Sequence, residues 1–96
     1  MKVLVKYFSA IREITQTKEE ILDVREETCT VLELLRSISS KYGENLTKYL
    51  FDSATQNPKP FLQFFIGDTP ISELNGLATV VTNECTFAIF PPIGGG

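Results

Sequence analysis

The chain is 96 residues long, 43% hydrophobic and 22% charged, which fits a single folded domain and excludes a disordered or fibrous chain. A formal charge of −3, with no basic run, argues against a nucleic-acid partner. There is no histidine and there are two cysteines without CxxC spacing, so zinc sites and histidine-based catalysis lose their usual residues and no metal ligand set is expected.

The opening stretch, Lys2 to Phe8, is β-branched and aromatic, with Val3, Val5 and Tyr7 alternating against Leu4 and Lys6 as in a half-buried strand. The segment meets a charge at Lys6 and does not read as a signal peptide; the expectation is a cytoplasmic domain with both thiols reduced. A polar connection follows, with room for one helical turn around Ile11 to Ile14. A second strand covers "EEILDVRE", with Leu22 and Val24 on one side and Asp23 and Arg25 on the other. Strands this close in sequence usually form a hairpin.

"TVLELLRSISSKYG" is the clearest helix. Thr30 is a natural N-cap and Glu33 sits where a capping box needs it. Val31, Leu34, Leu35, Ile38 and Tyr42 line one face, and Gly43 is placed to end the helix in a left-handed conformation. "NLTKYLFD" reads as a shorter helix and "SATQNPKP" as loop. "FLQFFIGD" reads as a strand covered on both faces for part of its length, followed by a Gly67-Asp68 turn and a short edge segment near Pro70 and Ile71. "ELNGLATVV" reads as connection. "CTFAIF" is the last strand, Cys85, Phe87 and Ile89 alternating with Thr86, Ala88 and Phe90.

With a strand at each end of the chain, the economical arrangement sets the first and last side by side in the centre of a mixed sheet of four to five strands, one main helix packed across one face. That layout is α+β and β-grasp, over residues 1–90, with 91–96 as an extended, flexible tail.

Within the domain, candidate chemistry is thin. Glu19-Glu20 and Glu26-Glu27 read as solvated edges, Arg12-Glu13 as a surface pair and Cys85 as a small buried hydrophobe. Cys29, just ahead of the helix cap, is placed for exposure near the positive end of the helix dipole, which would lower its pKa.

The tail is more specific. Pro91-Pro92 keeps the exit extended, and Gly94, Gly95 and Gly96 carry no side chain. The six residues after Phe90 reach about 20 Å, and glycine lets a backbone thread a channel too narrow for side chains. Ordering so free a segment costs entropy, so affinity has to come from apolar residues such as Phe90 and Ile93. The group delivered is the Gly96 carboxylate, ionised at neutral pH and unreactive until activated.

"KVLVKYFSAIRE", the Thr30-Val31-x-Glu-Leu-Leu helix start and, above all, "FAIFPPIGGG" resemble the MoaD family, ubiquitin-like sulfur carriers that form the small subunit of molybdopterin synthase. The resemblance implies that Gly96 is adenylated by a MoeB-like activating enzyme, converted to a thiocarboxylate by a sulfur donor, and inserted into a MoaE-like large subunit, the pair forming a heterotetramer. It implies a carrier with no bound cofactor, the partner consuming the ATP. It makes Gly94 and Gly95 the threaded segment, and Phe90, Pro91, Pro92 and Ile93 part of the docking surface. Other readings share the same ending: a ubiquitin-like modifier forming isopeptide bonds with lysines, another sulfur carrier of the ThiS type serving thiamine or tRNA thiolation, or a plain interaction domain. The stretch 44–60 is longer than in compact members of the family.

Overall fold

In the computed structural model, which describes residues 1–91, the first and last strands meet at the centre of one sheet. Strand β1 (Lys2–Tyr7) pairs in parallel with β7 (Thr86–Phe90), Val5 opposite Phe87 and Tyr7 opposite Ile89. Strand β2 (Glu19–Asp23) returns antiparallel along β1 as the expected hairpin. On the other side of β7 lie β4 (Gln63–Ile66), antiparallel to it, and the two-residue edge β5 (Thr69–Pro70). The order is β2-β1-β7-β4-β5, a mixed five-stranded sheet of the β-grasp type.

The alternation read in the sequence is what seals one face. Val3, Val5, Tyr7, Phe87 and Ile89 are buried, and helix α2 (Val31–Tyr42) lays Val31, Leu34, Leu35 and Ile38 against them. The capping box forms: the Glu33 N–H donates to Thr30 Oγ1 at 3.2 Å, and the Thr30 N–H donates to Glu33 Oε1 at 2.8 Å.

Four features differ from the sequence reading. Gly43 does end α2, but with φ 83° and ψ −158°, an extended conformation at positive φ, not a left-handed one. The reason is that a second helix follows at once: Gly43 donates its N–H to Ser39 O and accepts, at its carbonyl, the N–H of Thr47 in α3 (Glu44–Leu50). The stretch 44–60 is therefore no appendage, since Leu46 and Leu50 are fully buried in the core. The loop beyond them is tied back where the Lys59 N–H donates to Leu50 O at 2.8 Å.

The connection before the last strand holds two short 3-10 turns, Ile71–Glu73 and Gly76–Ala78, and a strand β6 (Val80–Val81) paired with β3 (Cys29–Thr30) in a separate small sheet. Two residues carry no period to read, so only the pairing reveals them. The single turn expected around Ile11 extends to a helix, α1 (Ala10–Thr15), because Ile11 and Thr15 both reach the core side. Finally, β4 is covered on one face only. Phe64 is buried, whereas Phe65 is half-buried on the open side and Phe61 is 50% exposed.

Candidate functional site

Strand β7 ends at Phe90, and Pro91 has no regular structure. Of the tail residues singled out in the sequence, Phe90 and Pro91 are half-buried, while Pro92, Ile93, Gly94, Gly95 and Gly96 lie outside the described residues. Strand parity turns Phe90 away from α2, onto the open face of the sheet, along with Thr86 and Ala88.

There Phe90 is held between two aromatic neighbours. The Phe8 ring stacks on it with centroids 4.3 Å apart and planes 9° apart, and Phe65 meets it edge-on at 5.2 Å and 76°. Phe8 is the residue just after β1, and Phe65 lies on β4, one strand to the other side. A strand pairs with one neighbour on each side, so only the sheet order could bring these three rings together. Lys6, Gly67, Asp68, Thr86 and Ala88 complete a shallow open depression of about 430 Å³ around the cluster. The sequence named Phe90 but missed Phe8 and Phe65. Their signal was there: each is out of phase with its buried strand neighbours, Tyr7 and Phe64, and an aromatic ring on a face that helix α2 does not cover needs another partner.

Chemically this arrangement offers a partly open aromatic surface on which an apolar partner surface can pack. Among the described residues, no group of three or more His, Cys, Asp or Glu side chains converges as a metal would require. Cys29 is buried at 9% exposure, which corrects the expectation of an exposed, activated thiol. Burial, with help from the negative charges of Glu33 and Glu26, pushes its pKa up. Cys85 is half-buried against the core, and burial raises its pKa too.

Glu19 and the pair Glu26-Glu27 are exposed, as read; Glu20 is not a solvated edge residue. Its Oε2 accepts the hydroxyls of Tyr7, at 2.6 Å, and of Tyr42, and its Oε1 accepts from Lys41. Burial by itself would raise the Glu20 pKa, but these hydrogen bonds outweigh it and hold the carboxyl below its ordinary value. Glu20 lies on the strand face that also carries Leu22, which the alternation shows; its three partners are 13 to 22 residues away in sequence and are not legible from it.

A mixed β-grasp sheet, one face sealed by a helix and the other carrying an aromatic cluster at the end of its last strand, has the architecture of a ubiquitin-like protein. The sequence model of the ThiS family matches residues 5–96, and the chain belongs to that family. It is 25% identical to small archaeal modifier protein 3 of Haloferax volcanii over 96 residues, all of both chains. Its structure is similar to that of small archaeal modifier protein 1 from Methanosarcina acetivorans, with a TM-score of 0.82 and 29% identity, covering 99% of this chain and 96% of that one. It also shares its fold with a putative molybdopterin converting factor, subunit 1, from Pyrococcus furiosus, at a TM-score of 0.70 and 18% identity, covering 97% and 99% of the two chains. Among the described residues no helix is long and apolar enough to cross a membrane.

Proposed function

We propose that the chain is a ubiquitin-like protein modifier whose Gly96 carboxylate is activated by a partner enzyme and transferred to lysine side chains. The observation that carries this reading is the Phe8–Phe65–Phe90 cluster at the base of "PPIGGG": an apolar handle directly beside a segment with no side chains at its end. The likeness to two archaeal modifier proteins over nearly the whole chain, at 25% and 29% identity, supports it. In this reading the partner brings the ATP site and the base. The Gly96 carboxylate attacks the α-phosphate of ATP, pyrophosphate leaves, and the acyl-adenylate is then open to a nucleophile. An attacking lysine amine expels AMP and leaves an isopeptide bond.

The reading that the sequence put first, sulfur carriage as the small subunit of molybdopterin synthase, shares every step up to the adenylate. It then needs a sulfur nucleophile and a MoaE-like subunit to receive the thiocarboxylate. "FAIFPPIGGG" favours it, and the structural likeness to the converting-factor subunit extends to the fold alone. The comparisons lean toward the modifier, and the two roles are compatible in one chain because they differ only in which nucleophile meets the adenylate.

Mass spectrometry of the chain expressed in its native cell tests both. Cleavage after Glu84, the last acidic residue, leaves the branch Cys85–Gly96 on any modified lysine. Such branches are expected, and their disappearance on deletion of Gly95 and Gly96 with the fold retained assigns the transfer to the tail. A terminal mass increase equal to the exchange of one oxygen for sulfur, with no branched peptides, would move the assignment to the sulfur carrier. Neither signal would leave an interaction domain with an inert tail and overturn the proposal.

A further inference from the structure

Strand β2 forms one free edge of the sheet, two strands away from β7. Antiparallel pairs alternate between bonded and non-bonded residues. The Tyr7 N–H donates to Lys18 O and the Val24 N–H to Met1 O, so residues 18, 20, 22 and 24 turn their backbone groups toward β1. Glu19, Ile21 and Asp23 turn theirs outward. The Glu19 carbonyl accepts the Thr17 hydroxyl at 3.0 Å; among the described residues no hydrogen bond is formed by the backbone of Ile21.

The side chains of the same three residues stand on the open face. Ile21, in the middle, is 67% exposed, more than any other large hydrophobic residue of the described structure. It is bracketed by Glu19 and Asp23, both exposed. Lys6 and Lys2 lie opposite them on β1, but neither forms an ion pair within 4.0 Å with these acids. The strand is also held in place from behind: Glu20, on the core side, is bonded to Tyr7 of β1 and to Lys41 and Tyr42 of α2. An edge with unpaired backbone groups is a template for another strand, and proteins commonly guard one against like copies with charged side chains, proline or a bulge; Glu19 and Asp23 are such charges. Here a β-branched apolar residue, favourable to strand pairing, stands at its centre.

We propose that the outer edge of β2 docks an extended segment of a partner protein in which basic and apolar residues alternate, basic side chains facing Glu19 and Asp23 and an apolar one facing Ile21. The charges select against a second copy of this chain. An antiparallel pair of β2 strands centred on Ile21 would set Glu19 of each against Asp23 of the other, and like charges directly opposite are destabilising. A basic partner strand would reverse that sign at both positions and bury Ile21 beside Leu4, its neighbour on β1. This docking is independent of the chemistry at Gly96.

The test titrates the full chain, labelled with nitrogen-15, with the acetylated and amidated peptide Thr-Lys-Thr-Val-Thr-Lys-Thr and with its counterpart carrying Glu in place of both Lys. The expected result is amide shifts centred on Ile21 and Asp23, slowed hydrogen exchange at the Ile21 amide, and binding of the Lys peptide at least about tenfold tighter than of the Glu peptide. Ile21→Pro removes the outward donor and leaves the donors that face β1, so it should abolish binding. Because proline can also disturb folding, Ile21→Lys serves as a second variant, with the backbone intact and binding expected to fall about tenfold. Deleting Gly95 and Gly96 should change nothing in this assay. Equal binding of the two peptides, shifts centred elsewhere, no shift at Ile21, or concentration-dependent self-association through β2 in sedimentation would each overturn the proposal.

Discussion

The ring of Phe8 lies nearly flat on that of Phe90, centroids 4.3 Å apart, so that the end of the last strand is clasped by the residue that follows the first. The parallel pairing of β1 and β7 makes this contact, at the last residue of the strand before Pro91. Stacked pairs of this kind contribute about 0.5–1.5 kcal/mol beyond the area they bury. A double-mutant cycle of Phe8→Leu and Phe90→Leu in urea unfolding should therefore show a coupling of about 1 kcal/mol. Under the proposed function, either substitution should also weaken the activating enzyme's grip. Coupling near zero would mean that the two rings act independently.

Glu20 makes stability depend on pH at both ends of the scale. Its carboxyl titrates below the ordinary value in the folded chain, so its contribution is present above the unfolded pKa of about 4.3 and is lost as pH falls through the lower folded value. The tyrosines act in the opposite sense. Burial and then the hydrogen bond to Glu20 push Tyr42 up to about 12 and raise Tyr7 as well. Their contribution is complete below about 10 and disappears as pH rises through the folded values. Thermal melts between acid and alkaline pH should show Glu20→Gln less stable by about 1–3 kcal/mol at neutral pH, with a flatter profile at both ends. A variant that kept the wild-type pH profile would show that the network does not couple to folding.

Gly43 joins α2 to α3 at φ 83° and ψ −158°, a region that only glycine occupies comfortably. An added Cβ would meet nothing within 4 Å, so the cost of Gly43→Ala is backbone strain alone. Equilibrium unfolding should show a loss of about 1–3 kcal/mol. An unchanged midpoint would mean that the junction relaxes to another geometry.

The two thiols should differ in reactivity. Cys29, paired with Val81 of β6 two residues ahead of α2, is buried, with its pKa raised by burial and by Glu33 and Glu26. Cys85 is only half-buried. In native protein at neutral pH, iodoacetamide should label Cys85 first and Cys29 only as the chain opens, with both labelling quickly in denaturant. Faster labelling of Cys29 would contradict its burial.

Local pattern determined much of this molecule. Alternation placed Val3, Val5, Tyr7, Phe87 and Ile89 on one face, and Thr30 with Glu33 started the main helix, because a side chain's phase and a helix's first turn are set within a few residues. The run of prolines and glycines after Phe90 was legible as a segment ending without side chains, while the function attached to it came from a family resemblance and not from composition. What sequence left dark was the identity of partners across the fold. It could not show that Glu20 receives two phenols and a lysine, that Phe8 and Phe65 flank Phe90, or that Val80–Val81 finds Cys29–Thr30. Period says which side of an element is covered; only the completed sheet order and the seat of α2 decide by what, since those contacts join residues that the chain keeps far apart.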